Sequence, residues 1–328
     1  MTYRVFRQPP EGESEPVQGY GDPLGSIVRW PDGRHIAANG MGRVFLWERD
    51  TGRCARVLES NAICRDGEPD FRLTIDPVLG RLAEGDKIRD FALWDTATWE
   101  QLQVFTGHGE AVRAAAFIGD DRLVSVSGDS TAILWDAWSG ARLRTVDTMP
   151  LYALADDPRS GRLATTGGNG QVYIFERTTL DTLASFRIAP VQARHAPLSK
   201  AQRDRIGIVW DRPSPTIRAM AWHPDGEHLV CGSWDFVPKM IDARTGRCVR
   251  AWQGHAHWVD ALAIDAEGRR LITGSSDHTV RVWDLDSEDC LAVFELGWPE
   301  ISDVMLDQGE ILAACRDEIV ILPLPARS

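Results

Sequence analysis

A Trp-Asp pair closes a strand-like stretch repeatedly along this chain. It stands in "RDFALWD" at 89–95, in "DSTAILWD" at 129–136 and in "DHTVRVWD" at 277–284. The Val, Ile and Trp residues of these stretches favour strand, and the Asp-His before the last of them reads as a tight turn. A pattern that returns at a set spacing constrains a fold more than local propensity does, because each copy must be the same supersecondary unit. The strand-closing position is filled by Trp47, Trp94, Trp135, Phe175, Ile241, Trp283 and Leu322, at intervals of 47, 41, 40, 66, 42 and 39 residues.

Each unit divides into four short strands. The penultimate one runs "ALAID", a turn "AEG", "RRLITGSS", a turn "DH", "TVRVWD", then "CLAVFEL". Gly, Asp and Ser separate the strands, with little helical periodicity. "PDG" at 31–33 and 224–226 marks the same first turn in two other units. A four-stranded unit of about 40 residues has the length of a propeller blade. Two units add "GH" upstream, Gly107-His108 and Gly254-His255. On these "GH…D…WD" motifs the chain resembles the WD40-repeat β-propellers. Three Lys against 33 Arg read as the codon bias of a GC-rich genome, and so as a bacterial member.

The predicted fold is all-β: a seven-bladed WD40 β-propeller, one domain over 1–328. The last unit has room for three strands, "ISDVML", "EILAAC" and "EIVILPL". The resemblance implies that the N-terminal "TYRVF", residues 2–6, supplies the fourth and closes the ring, covering an edge that would otherwise stay open. The second unit, "GDKIRDFALWD", lacks a turn Asp in register, and blades two and seven carry the pattern most weakly.

The resemblance also implies a buried hydrogen-bonded network in two blades. One set is His108, Asp129, Trp135 and Ser125 or Ser127. The other is His255, Asp277, Trp283 and Thr273 or Ser275. Imidazole, carboxylate, hydroxyl and indole N–H can satisfy one another in a dry interior. Phe175, Ile241 and Leu322 cannot donate as Trp does, so apolar packing is expected in their blades.

Composition narrows the function classes. The formal net charge is −12, which disfavours the nucleic-acid backbone as partner. No stretch reaches the ~20 apolar residues of a membrane span, and the N-terminus lacks a signal-peptide run, so the reading is cytoplasmic with no membrane partner. The six Cys form no CxxC. Cys54, Cys248 and Cys290 each follow a marker by seven residues, which suggests packing in an outer strand. His255 and His257 have metal-like spacing, but the network claims His255 and a closed zinc site needs four ligands; no metal or other cofactor is expected. "TTGGNGQ" at 165–171 lies between strands, not before a helix, and reads as a turn with Asn169 in the Asp position. No Ser-His-Asp or Cys-His set is suggested by spacing.

The 66-residue interval holds an insertion at about 187–214, between blades four and five. Arg194, Lys200, Arg203 and Arg205 make it basic within an acidic chain, and "PLSKAQRDRIGIVW" reads as a short helix capped by Ser199. Long loops in compact domains are often functional. In the resembled family such loops join the top face, where partners are held. The positions that the family presents there fall here on Phe71, Arg113, Tyr152, Arg218, Trp234, Trp258 and Asp260, and Trp, Tyr and Arg dominate interface energetics. The leading reading is a non-catalytic scaffold that binds a protein or peptide there as a subunit of a larger complex. The alternatives are a peptide or small-ligand sensor with the insertion as lid, and a propeller hydrolase.

Overall fold

The computed structural model describes residues 4–7, 23–40, 42–59, 71–86, 89–119, 121–191, 215–297 and 301–325. They form seven antiparallel four-stranded sheets. Six of the sheets take four consecutive strands, spanning 24–59, 74–105, 112–147, 151–187, 217–251 and 259–295. The first strand of each lies innermost, against the first strands of its neighbours, and the contacts run on from blade seven to blade one to complete a ring.

Closure uses both ends of the chain. Ile301–Asp307, Glu310–Cys315 and Glu318–Pro323 make three strands of blade seven, and Arg4–Arg7 adds the outer one. The pairing runs antiparallel from Arg4 opposite Ile321 to Arg7 opposite Glu318. Phe6 is fully buried in the core shared by blades one and seven, so the last blade is completed by apolar burial as well as by ladder bonds.

All seven marker residues sit on third strands: Trp47, Trp94, Trp135, Phe175, Ile241, Trp283 and Leu322. The structure explains why Asp follows Trp. Trp135 and Trp283 point into the blade core, while Asp136 and Asp284 turn to the loop that follows. Asp136 Oδ1 accepts the backbone N–H groups of Trp138 and Ser139 at 3.2 and 2.8 Å, and Asp284 Oδ1 those of Asp286 and Ser287 at 2.7 and 2.9 Å. Asp95 and Asp242 do the same. A short carboxylate that binds backbone two and three residues on initiates the turn to the outer strand. Cys54, Cys248 and Cys290 each open that outer strand, opposite Trp47, Ile241 and Trp283.

The polar networks can be read atom by atom. In blade three His108 Nδ1 lies 2.9 Å from Asp129 Oδ2, and Nε2 lies 2.7 Å from Ser125 Oγ, which also accepts the Trp135 indole N–H at 2.7 Å. In blade six His255 Nδ1 is 2.8 Å from Asp277 Oδ2, Nε2 is 2.7 Å from Thr273 Oγ1, and Trp283 donates to the same hydroxyl at 2.8 Å. Ser125 and Thr273 therefore relay. Ser127 and Ser275 turn to the backbone carbonyls of Ala111 and His257 instead. Gly107 has φ 138, a backbone that L side chains rarely adopt, and a Cβ there would run into the Arg142 guanidinium; glycine lets the following His turn inward.

One expectation is corrected. Blade five does not rely on apolar packing alone: Lys239 and Asp235 form an ion pair with only 1% and 3% of each residue exposed. Blade two departs in another way. Glu84 takes the position of Ser125 in the ladder, and Trp94 Nε1 is buried with no hydrogen-bond partner among the described residues. Asn169 does occupy the turn position six residues before Phe175, at φ 58, followed by Gly170 at φ 73.

Candidate functional site

One end of the ring, here the top face, carries the starts of the inner strands and the turns between second and third strands. Six of the inner strands share a defect at that end: in blade one it falls between Leu24 and Ile27, and in five others a single residue is skipped. The ladder shifts register between Val112 and Ala114, Leu151 and Ala153, Ile217 and Ala219, Val259 and Ala261, and Ile301 and Asp303. The skipped residues are Arg113, Tyr152, Arg218, Asp260 and Ser302. A bulge leaves its extra residue out of the ladder and re-aims the side chain. Four of the seven residues expected at the rim are therefore bulge residues, which is how the backbone presents them.

Blade two behaves differently. Its inner strand is only Thr74–Asp76, and ahead of it the Arg72 N–H bonds the Arg113 carbonyl at 2.9 Å. Phe71, expected as a contact residue, instead turns inward: it is 6% exposed and stacks on Phe91 with ring centroids 6.0 Å apart. Its neighbour Arg72 reaches the channel. Arg72 Nη1 lies 3.1 Å from Asp303 Oδ1, and Nη2 bonds the Asp260 carbonyl at 3.0 Å. Successive strand residues face opposite ways, so a one-residue offset exchanges the two. Burial pushes the Asp303 carboxyl up against the opposing field of Arg72.

Five of the expected residues come together. The Trp234 and Trp258 rings stack at 4.3 Å with 16° between planes. Trp234 Nε1 donates to Asp260 Oδ1 at 2.9 Å, and Ser276 Oγ donates to Asp260 Oδ2 at 2.7 Å. The Arg218 guanidinium lies 5.5 Å from the Trp234 ring centroid and 5.9 Å from that of Tyr152. Tyr152, Arg218, Trp234, Trp258 and Asp260 are all partly exposed. Below them the row continues into the interior: His257 packs on Trp258 at 4.8 Å and on Phe236 at 5.4 Å.

Asp235 fastens this row to the chain leaving blade four. Its Oδ2 holds Lys239 and also accepts the Val191 N–H at 3.1 Å. Trp234 and Phe236 flank it in sequence, so the buried pair sits under both aromatic contacts. Arg194, Lys200, Arg203, Arg205 and the helix expected from Ser199 lie outside the described residues, as does Cys64. Arg72, Asp303 and Ser276 were not singled out by the sequence; an alternation check on "DFRLTID" was the available signal for Arg72.

The described surface also has a groove of about 610 Å³ at the far ends of the inner strands, lined by Trp30, Pro31, Leu73, Ile75, Pro77 and Met305 among others. It lies on the opposite face from the aromatic row. Among the described residues, no group of three or more His, Cys, Asp or Glu side chains could hold a metal ion, and no helix is long and apolar enough to cross a membrane.

The family model for "WD domain, G-beta repeat" matches residues 99–136, 208–242 and 246–284. The chain is a seven-bladed propeller, and three of its segments match the WD40 repeat. The segments matched run from the outer strand of blade two through the third strand of blade three, from 208 through the third strand of blade five, and from the outer strand of blade five through the third strand of blade six. The nuclear distribution protein PAC1 of Arthroderma otae is 24% identical over 298 residues, covering 84% of this chain and 62% of that protein. Human striatin-4 is 30% identical over 190 residues, covering 57% of this chain and 23% of that protein. Subunit I of Bombyx mori eukaryotic translation initiation factor 3 is 23% identical over 216 residues, covering 63% and 60%. The chain thus spans less than two thirds of the length of these relatives. All three are eukaryotic, and the bacterial source read from the Arg excess has no counterpart among them.

Proposed function

We propose that this WD40 propeller is a non-catalytic interaction platform that holds a protein partner on its top face, as one subunit of a larger assembly. The observation that carries the reading is the partly exposed row of Tyr152, Arg218, Trp234 and Trp258, held in place by Asp260 and Ser276. Large aromatic residues and Arg concentrate binding energy at interfaces, and two stacked rings, one of them fixed by its bond to Asp260, lose little side-chain freedom when a partner arrives. Relatives named as a translation-factor subunit and as a nuclear distribution protein suit a role in assemblies.

The test is affinity for whatever co-purifies from the native host. Trp258→Ala or Trp234→Ala is expected to weaken binding by ~2 kcal/mol, roughly thirtyfold, with the fold checked by melting temperature. The control is Arg269→Ala on the opposite face, expected within ~0.5 kcal/mol of wild type. Arg269 is exposed, whereas the neighbouring Arg270 has a buried Nε and makes a poorer control. If Arg269→Ala weakens binding and the Trp substitutions do not, the top-face reading is wrong.

A further inference from the structure

Three arginines stand at or beside the bulges of the top face, and they are not equivalent. Arg72 is engaged by Asp303 and by the Asp260 carbonyl. Arg113 also has a partner. Arg218 is held by rings alone, between Tyr152 and Trp234. No hydrogen bond or ion pair reaches its guanidinium among the described residues, and Arg218 is not among those with a further interaction beyond the ones named. Ring packing uses the faces of a guanidinium, while its five N–H donors lie in the plane. Arg218 is therefore oriented by its neighbours, with its hydrogen-bonding edge unused among the described residues.

We propose that Arg218 is the receptor for one carboxylate side chain, Asp or Glu, of the partner, and that apolar residues flanking that carboxylate lie against Trp234 and Trp258. The inference rests on the top-face reading and specifies its chemistry. A planar fork matched to a planar carboxylate gives two parallel charge-assisted bonds. A phosphate fits less well. It carries about −1.5 to −2 charges and is usually recognised by several arginines together. Here Arg218 is the one uncommitted guanidinium of the described patch, Lys239 is buried against Asp235, and the nearby Asp260 carboxylate, bonded to Trp234 and Ser276, adds negative charge that disfavours a dianion more than a single carboxylate. The net charge of −12 likewise repels a long acidic tract, so the expected segment carries a single acid among apolar or neutral residues.

The experiment selects peptides from a displayed random library on the full chain. The best binder is then measured with its acidic residue, with the matching amide (Asp to Asn or Glu to Gln) and with phosphoserine at that position. Wild type, Arg218→Gln, Arg218→Lys and Trp258→Ala are compared. Selected peptides are expected to share one acidic position, and the amide is expected to cost about tenfold or more on wild type. The same change is expected to cost less than about twofold on Arg218→Gln, with Arg218→Lys between, because Lys keeps the charge and loses the fork. The acid-to-amide comparison on wild type needs no protein variant to fold. Peptides that bind through Trp258 but tolerate the amide overturn the carboxylate proposal and leave the top-face reading standing. Phosphoserine binding more than about tenfold tighter than the acid overturns it in favour of a phosphate site. If no selected peptide depends on Trp258 or Arg218, the top-face reading falls and the proposal with it.

Discussion

Blades six and five are neighbours built on one repeat, yet they fill equivalent interior positions with opposite chemistry. In blade six Thr273, Asp277 and Trp283 join His255 in a chain of hydrogen bonds that leaves each member satisfied. In blade five the same ladder positions hold Cys231, Asp235 and Ile241. A thiol is a poor relay and Ile donates nothing. Asp235 is satisfied instead by Lys239, from the position that in blade six holds Arg281 on the face of Trp283. Burial pushes the Cys231 thiol up to about 12, so it stays a neutral packing group beside the pair. The blade that surrendered the hydrogen-bonded frame is the one that contributes Arg218 and Trp234 to the rim and binds Val191 at the base of the insertion. A buried ion pair adds little net stability over apolar residues but is costly to break. It fixes one geometry, and here that geometry lies beneath the aromatic row.

The sharpest way to break this comparison is to remove one partner of the pair. Asp235→Ala should lower unfolding free energy in urea by about 3–5 kcal/mol, because Lys239 is left charged and buried, and the double variant Asp235→Ala/Lys239→Met should recover most of that loss. A double variant as unstable as the single one would show that the pair contributes net stability of its own.

Asp277→Ala in blade six should cost less, about 1–3 kcal/mol, the penalty for unpaired buried donors. Asp225→Ala, in an exposed "PDG" turn where the carboxylate binds His228 and two backbone N–H groups, should cost less than about 1 kcal/mol. Equal losses at the two positions would contradict the network's register. Asp277 also carries a pH signature. Burial alone would raise its pKa, but the field of His255 and bonds from His255, Thr279 and Ala256 hold it well below the usual carboxylate range. A depressed carboxylate stabilises the fold above its unfolded pKa, near 3.8, and that stability is lost as pH falls through the folded value.

The smallest expected effect tests the matching network in blade three. Burial pushes His108 below its ordinary 6.5, against the pull of Asp129. The unfolded chain then takes up a proton near pH 6.5 that the folded chain refuses. Stability should be full above 6.5 and decline as pH drops below it. The urea midpoint of His108→Gln should be lower throughout but flatter with pH in that window. An unchanged slope would assign the pH dependence to other groups, such as half-buried His278, which burial also pushes down.

The blade count and the closing strand were legible because both rest on local, repeated information. A marker residue, three flanking strands and a turn recur at a set distance, and a three-stranded last unit calls for a fourth. The bulge positions of Tyr152, Arg218 and Asp260 were legible by the same alignment. Phe71 was not, because blade two's inner strand begins only at Thr74, and ahead of it Phe71 turns inward while Arg72 faces the channel instead. The choice of Ser125 over Ser127 was open for a similar reason: both hydroxyls lie on one face of the strand, and only the fold sets which one meets His108 and Trp135.

By itself, the sequence determined how many blades there are, which residues close their third strands and which stand where the inner strands begin. Tertiary structure alone decided what those residues meet. Lys239 with Asp235, Trp234 on Trp258 and Arg72 with Asp303 are pairings across turns, blades and the central channel. The pattern along a strand reports which face a side chain takes, because alternation is a property of the backbone. Its partner on a neighbouring sheet depends on twist, bulge and ring closure acting together, and no single segment contains them.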